Sequence, residues 1–386
     1  MLVKLTNKAL DYAWGSKNLI SDYFGITATG KPMAEIWFGT HDGSPTQVVG
    51  QNKSLHELLS EQRAESRLPY LLKILAAEAP LSIQAHPNPA QAIEGFAREN
   101  AAGIALDAPN RNYKDDRAKP ELIAALSESF DALVGFADTR VIIERFQEIQ
   151  DITPDSAVAK QLALWITSLQ SPAGIQEVFF EILTSDKITQ EFVAELVDLA
   201  EQCPSLVELV SHLNAHHEND RGIIAALMMN RLVLSRGEAV FVPAGSPHAY
   251  LAGLGVEVML ASDNVLRGGL TPKHIDVAEL SRVLVFESTE ANLVKQVVLA
   301  NGLKKFDIPT PEFDFYEVSV SPTNILVDLN LPGDTILLCT SGSIAISTSK
   351  GEREVLETGE ACFVSGDART FTLAGTGSGY LAVSAE

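Results

Sequence analysis

The stretch GEAVFVPAGSPHAYL, residues 237–251, decides the fold class of this chain of 386 residues. Its apolar runs are short, and Gly237, Pro243 and Gly245 are residue types that shape tight turns between strands. A second run, GEACFVSGDARTFTL at residues 359–373, matches it in the same register. Two copies of one β unit predict two β-barrels of the same general kind.

The two copies differ at a position that can bind a metal. The first copy has His248, delivered by the strand after the bend, whereas the second has Thr370 at the matching position. No histidine follows His274 in the sequence. Because imidazole is a common metal ligand, we predict a metal site in the first barrel and a structural role for the second. A plain β-turn is the alternative interpretation of the first copy.

Hydrophobic spacing divides the chain into segments. Residues 35–136 are strand-like, and RLPYLLKILAAEAPLSIQAHPN at residues 67–88 predicts a buried strand or pair of strands. From residue 137 to about residue 219, apolar residues recur at intervals of three and four, which indicates a helical insertion. The predicted domains are the metal-binding barrel over residues 1–136 and 226–290, the helical domain over 137–225, and a C-terminal jelly-roll barrel without a metal site over 291–386.

Three histidines of the helical segment, His212, His216 and His217, lie in or near the polar run NAHHEND. Asn, Glu and Asp surround them, so we interpret this run as a solvated loop. A functional role is the alternative.

The formal net charge of −21 excludes two classes of partner. Nucleic acid and anionic membrane surfaces both require a basic face, so neither is expected to bind. An anionic small substrate stays possible, because a local basic cluster can outweigh a negative surface within a Debye length of about 8 Å.

Two features of the sequence predict a cytoplasmic protein. No apolar run is long enough for a signal peptide or a membrane span. The cysteines Cys203, Cys339 and Cys362 lie far apart in apolar settings and form no CxxC pair. We therefore expect them to be reduced and buried.

Three short motifs predict the metal ligands. Gln84 and His86 lie two apart in LSIQAHPN, so on a strand they point to the same face. Lys119 and Glu121 flank a proline that favours extended backbone, so these two also share a face. With His248, the set offers two imidazoles, one carboxylate and one amide oxygen. It suits Zn²⁺, with Fe²⁺ or Mn²⁺ as alternatives; a core histidine and a surface ion pair are the alternatives for the motifs taken singly.

The run GVEVMLASDNVLRGGLTPKHID, residues 255–276, supplies further polar candidates. Glu257 stands between apolar residues, where a carboxylate needs a partner or a metal. Arg267 precedes two glycines, which allow the backbone to approach a ligand closely. A turn that carries an exposed cation is the alternative interpretation of this arginine.

Taken together and in this order, the motifs resemble the type I mannose-6-phosphate isomerase family, also called phosphomannose isomerase, of the cupin superfamily. The resemblance covers most of the chain and rests on YAWGS (12–16), AEIWFGTHDGSP (34–45), LPYLLKIL (68–75), LSIQAHPN (81–88), KPELIAAL (119–126), GEAVFVPAGSPHAYL (237–251) and SDNVLRGGLTPKHID (262–276).

The resemblance implies a mainly β fold with an α insertion: a cupin barrel that carries the metal, an inserted helical domain and a second, C-terminal jelly roll. It implies zinc-dependent interconversion of mannose 6-phosphate and fructose 6-phosphate through an enediol, by a chain that we expect to be monomeric. It also implies one zinc per chain, held by Gln84, His86, Glu121 and His248. The residues that it places around the substrate are Arg267, Ser82, Lys73, Lys119, Glu257 and Asp263.

The motifs allow more than one role for several of these residues. Glu257 and Lys119 are both candidates for proton transfer, while Arg267 is expected to stabilise the enediolate or bind phosphate. The basic residues Lys73, Lys119, Arg267 and Lys273 could all lie near the phosphate. A non-catalytic cupin sensor of sugar phosphates and another metal-dependent cupin, such as an oxygenase or a nucleotide-sugar epimerase, are the alternative functions.

The chain departs from the family at one position. Ala118 precedes the Lys-Pro-Glu run, where many members carry a histidine. If that histidine assists ring opening in relatives, another group must do so here, or the role is dispensable.

Overall fold

The computed structural model describes residues 1–290, 293–331, 333–368 and 370–385. Its strands form two antiparallel sheets, and ten α-helices occur in the described ranges. The predicted mainly β fold with a helical insertion is confirmed. The start of the predicted C-terminal domain, residue 291, and the last residue, 386, lie outside the described residues.

The first sheet has nine described strands. They are β2 (Glu35–Phe38), β4 (Tyr70–Ala77), β5 (Ile83–Ala85), β6 (Glu121–Ala125), β7 (Ser129–Phe136), β8 (Met229–Ser235), β9 (Ala239–Val242), β10 (His248–Leu260) and β11 (Leu266–Gly269).

The second sheet has ten described strands. They are β1 (Leu2–Thr6), β3 (Gln47–Val48), β12 (Gln296–Ala300), β13 (Leu303–Phe306), β14 (Phe313–Val320), β15 (Leu326–Asn330), β16 (Thr335–Thr348), β17 (Arg353–Glu357), β18 (Ala361–Val364) and β19 (Thr370–Ser384).

The helices are α1 (Leu19–Phe24), α2 (Leu55–Ser60), α3 (Pro89–Ala101), α4 (Thr139–Ile152), α5 (Ala157–Ser168), α6 (Gly174–Thr184), α7 (Gln190–Ala200), α8 (Val207–His216), α9 (Gly222–Ala226) and α10 (Val277–Val283). No described helix is long and apolar enough to cross a membrane.

Strand β10 organises the first sheet. Its first half pairs with β5 and β7, and its second half pairs with β4 and β6. The pairing with β7 shifts between Tyr250 and Ala252, which marks a β-bulge. Because a bulge changes which residues point to a given face, His248, Tyr250 and Glu257 all line one cavity despite their mixed spacing.

The sequence repeat reappears in the backbone. Gly237 and Gly359 open the two copies with φ of +83° and +88°, a region that favours glycine. The apolar runs that follow form β9 in the first sheet and β18 in the second.

Helices α4 to α9 form the predicted insertion, and several begin with a capping side chain. Asp138, Ser156 and Thr189 each accept a backbone N–H of the following turn. The insertion packs on the first sheet, where the rings of Phe136 and Phe179 meet edge to face at 5.4 Å. One hydrophobic core thus joins the helices to β5 and β10, which carry Gln84 and His248.

The expectation of strands throughout residues 35–136 is wrong at α2 and α3, and α3 is the longer of the two helices. Asn88 accepts the N–H of Gln91 at 3.0 Å, and the Gln91 side chain accepts the N–H of Asn88 at 2.9 Å. Pro89 occupies the first turn. This capping box, with a proline at its start, is a helix signal that could have been read from Asn88-Pro89-Ala-Gln91.

The N-terminal strands lie in the second sheet. Strand β1 pairs with β18 and β3 pairs with β1, although both belong to residues assigned to the first predicted domain. The division into domains stays a prediction. The three cysteines are unpaired and buried, as expected.

Candidate active site

Three of the predicted ligands meet at the ends of strands. His86 follows β5, Glu121 begins β6 and His248 begins β10. His86 Nε2 lies 3.1 Å from Glu121 Oε1, and His248 Nε2 lies 3.3 Å from Glu121 Oε2. One ligand atom from each residue can be chosen such that all lie within 4.8 Å of one another. The three side chains are buried.

The tautomers of the two imidazoles are fixed by the hydrogen bonds of their Nδ1 atoms, which face away from Glu121. Nδ1 of His86 lies 2.7 Å from the carbonyl oxygen of Asn264, and Nδ1 of His248 lies 3.2 Å from that of Ser246. A carbonyl only accepts, so each neutral ring carries its proton on Nδ1 and turns the Nε2 lone pair towards Glu121. Backbone carbonyls orient metal-binding histidines in the same way.

The Nε2 lone pairs of His86 and His248 face the carboxylate of Glu121, an arrangement that a bound cation would stabilise. Nε2 of His86 is buried and makes no hydrogen bond despite its 3.1 Å separation from Glu121 Oε1. Burial, followed by the charge of Lys119, lowers the pKa of His86 to about 4, so the ring is neutral near pH 7. Burial opposes ionisation of Glu121, yet the positive charge of Lys119 holds its pKa well below its usual range.

Gln84 lies where its side-chain amide oxygen can serve as the fourth ligand. It lies opposite His248 on one side and Arg267 on the other in the sheet register. Its side chain lines the same inner cavity as Glu121 and His248. Two neutral imidazole nitrogens, a carboxylate and an amide oxygen are a donor set that fits Zn²⁺.

A buried ionic network adjoins the ligands. Lys73 Nζ lies 2.9 Å from Glu257 Oε2 and 3.7 Å from Glu35 Oε1, while Lys119 Nζ lies 2.9 Å from Glu121 Oε1. Burial raises the pKa of Glu257. Burial opposes a charge on Lys73, but Glu257 and Glu35 outweigh this and raise its pKa.

A cleft of about 690 Å³ opens over this network. The predicted site residues that line it are Gln84, Lys73, Lys119, Ser82, Asp263, Arg267 and Lys273. Glu257, Glu121 and His248 line the inner cavity beneath, together with Lys73 and Lys119. The structure thus brings every predicted site residue to the cleft or its base, since His86 adjoins Glu121.

Sequence reasoning missed several polar residues of the site. Tyr250 donates its hydroxyl to Glu121 Oε2 at 3.3 Å, and its position two residues after His248 on a strand was an available signal. Glu35 pairs with Lys73 and accepts from the Trp37 indole at 2.8 Å. These contacts depend on pairing between β2 and β4, which local sequence does not reveal.

The interpretation of His212, His216 and His217 as part of a solvated loop is wrong, because His212 is half-buried within α8. Helix α8 ends at His216 against the turn between β4 and β5, and His216 and His217 both line the cleft. His216 is exposed at its mouth, while His217 is half-buried, with Nε2 3.0 Å from the carbonyl oxygen of Pro80.

The mainly β fold and the buried His-His-Glu centre beneath a polar cleft define a metal-binding enzyme. The model of the family "Phosphomannose isomerase type I, catalytic domain" matches residues 2–139. The chain is 33% identical to the mannose-6-phosphate isomerase of Salmonella typhimurium and 34% identical to that of Escherichia coli K12, in each case over 97% of both chains. It is similar to the crystal structure of the S. typhimurium enzyme bound to fructose 6-phosphate and zinc, with a TM-score of 0.90, 31% identity and full coverage of both chains. The chain belongs to the type I mannose-6-phosphate isomerase family.

Proposed function

We propose that this chain is a zinc-dependent mannose-6-phosphate isomerase that interconverts mannose 6-phosphate and fructose 6-phosphate. The observation that carries the proposal is the pair of imidazole lone pairs aimed at Glu121 beneath a cleft lined by cations. The family relationship points to the same reaction.

Gln84, His86, Glu121 and His248 hold the zinc in this proposal. When bound, zinc supplies Lewis-acid polarisation of substrate oxygens. Tyr250 fixes one Glu121 oxygen by its hydrogen bond, and Lys119 lies against the other. The ligand carboxylate is therefore held in one orientation and kept ionised.

The cationic wall of the cleft binds the sugar phosphate. Arg267 and Lys273 both line it, and a guanidinium matches the geometry of phosphate oxygens. Arg267 either binds phosphate or stabilises the negative charge of the enediolate. Ser82, Asp263 and Lys73 face the same space and are suited to hydrogen bonds with sugar hydroxyls.

Isomerisation moves a proton between C1 and C2 of the open-chain sugar. Glu257 and Lys119 are the residues proposed to carry it. Lys119 lines both the inner cavity and the cleft, so it can reach substrate directly. Glu257 lies deeper and reaches the cleft through Lys73, and its raised pKa allows it to hold a proton.

We also propose a division of the chain into three domains. Residues 1–136 with 226–290 form the catalytic domain, 137–225 the helical domain and 291–386 the C-terminal domain, with β1 and β3 contributed to the second sheet. We propose a monomer, because a single chain supplies every proposed site residue and the proposed site needs no second copy. The unpaired cysteines support a reducing, cytoplasmic location.

The test is incubation of purified, zinc-loaded protein with fructose 6-phosphate while the appearance of mannose 6-phosphate is followed. Wild type and His56→Ala, a histidine outside the cleft, are expected to convert substrate, whereas His248→Ala is expected to lose conversion. A folded, zinc-loaded wild type that converts nothing contradicts the proposal.

A further inference from the structure

Asp220 joins the helical insertion to the first sheet. It lies between α8 and α9, and its carboxylate accepts three backbone N–H groups. The donors are Leu270 at 2.9 Å, Thr271 at 3.3 Å and Gly222 at 2.6 Å. Two of these donors belong to the turn that follows β11, the strand that carries Arg267.

The turn held by Asp220 has an unfavourable backbone conformation. Leu270 has a φ of +54°, in the left-handed region, which is unfavourable for a non-glycine residue. Its side chain is buried in the hydrophobic core shared with the helices. The buried leucine side chain packs in this core, and the hydrogen bonds that the turn donates to Asp220 offset the backbone cost.

Two glycines permit the close approach that these hydrogen bonds require. A Cβ atom on Gly222 would lie 2.3 Å from the backbone nitrogen of Leu270. A Cβ atom on Gly269 would lie 2.6 Å from Cα of Gly222, at a φ of +139°. The helical insertion and the turn are thus in direct backbone contact, independently of the Asp220 side chain.

The turn connects two cationic residues of the cleft. Arg267 precedes it and Lys273 follows it, and Leu270 and Thr271 line the cleft between them. Within the described part of the chain, the guanidinium of Arg267 and the ammonium of Lys273 have no hydrogen bond or ion pair of their own. Their direction therefore depends on the backbone that carries them.

We infer that Asp220 is a positioning residue, which fixes this turn so that Arg267 and Lys273 face the phosphate of the substrate. The helical insertion is then a part of the active site. The inference rests on the proposed function, because it takes the bound anion to be a sugar phosphate.

The test compares Asp220→Ala and Asp220→Asn with Asp186→Ala, an exposed aspartate of the same insertion. Misplacement of the two cations is expected to raise KM for fructose 6-phosphate by about 10- to 100-fold in Asp220→Ala, with a smaller change in kcat. Asp220→Asn retains one acceptor oxygen and is expected to lie between Asp220→Ala and wild type. Zinc content and the control variant are expected to be unchanged.

A second measurement separates positioning from a general structural role. The effect of Asp220→Ala on KM should shrink in a Lys273→Ala background, because the two changes remove the same interaction. Binding of inorganic phosphate to the zinc-loaded protein, measured by calorimetry, should weaken in parallel with KM. This binding also tests the inference if the wild type proves inactive on fructose 6-phosphate, which would refute only the proposed function.

Three results overturn the inference. One is wild-type KM and phosphate affinity in Asp220→Ala. Another is additivity with Lys273→Ala. The third is a loss of activity in Asp220→Asn that merely follows loss of zinc or of folded protein.

Discussion

His86 Nε2 and Glu121 Oε1 lie 3.1 Å apart, both buried, without a hydrogen bond between them. The proton of the imidazole is on the far side of the ring, at the carbonyl of Asn264. The lone pair of Nε2 therefore faces the lone pairs of the carboxylate oxygen, and a bound cation would relieve the repulsion between them.

This relationship predicts that zinc stabilises the fold. A ligand that binds only the native state adds about 2.7 kcal/mol at a free concentration 100-fold above its Kd. Thermal unfolding with and without zinc measures the gain as a higher midpoint for wild type. His86→Ala should lose most of the zinc-induced shift, and an equal shift in that variant would contradict the assignment of His86 as a ligand.

The buried pair of Lys73 and Glu257 should contribute far more to stability than an exposed pair. Lys73→Met leaves Glu257 and Glu35 as buried carboxylates without their cation, a change that costs about 3–5 kcal/mol. The matched control is Lys53→Met, because Lys53 pairs with Glu61 at 2.8 Å on the surface. That pair is worth only about 0–1 kcal/mol. Denaturant unfolding of both variants measures the difference, and equal losses would refute it.

His41 should control the ionisation of Asp263. Nδ1 of His41 accepts the N–H of Gly43 at 3.0 Å, so Nε2 donates to Asp263 Oδ2 at 3.2 Å. Burial opposes ionisation of Asp263, yet the hydrogen bond from His41, followed by the charges of Lys119 and Lys73, lowers its pKa. A carboxyl group whose pKa is lower in the folded than in the unfolded state stabilises the fold at pH values above its ordinary pKa. This stabilisation is lost as the pH falls through the lowered pKa.

His41→Phe is therefore expected to raise the pKa of Asp263 and to move the acid limb of the pH profile of kcat/KM to higher pH. His56→Phe, which does not touch Asp263, serves as the control. An acid limb that stays in place in His41→Phe would show that His41 does not set this ionisation.

The absence of a histidine before the Lys-Pro-Glu run should be tolerated. Ala118 lines a cavity shared with Arg67, Arg117 and Leu260, and not the cleft that contains Arg267. Ala118→His is thus expected to leave kcat on fructose 6-phosphate unchanged, as steady-state kinetics would measure. A clear rise in kcat would mean that a side chain at this position reaches the substrate.

The ligand motifs were predictable because each is local. A strand places Gln84 and His86 on one face, and a proline extends the chain beside Glu121. The capping box at Asn88 was equally local and could have been recognised.

Other parts of the site depend on contacts between distant segments. The bulge in β10, which brings Glu257 to the same cavity as His248, arises from pairing with β7. Likewise, His217 reaches the cleft only because α8 ends against the carbonyl of Pro80. Strand β1 joins β18 across almost the whole length of the chain. Periodicity within one segment carries no information on such partners.

Zinc dependence of the isomerisation is tested by titration of metal-stripped protein with zinc while conversion of fructose 6-phosphate to mannose 6-phosphate is followed. The stripped protein is expected to convert no substrate, and the rate is expected to rise in proportion to zinc until one ion per chain is bound. A stripped protein that keeps its full rate, or a zinc-saturated and folded protein without any, would contradict this expectation.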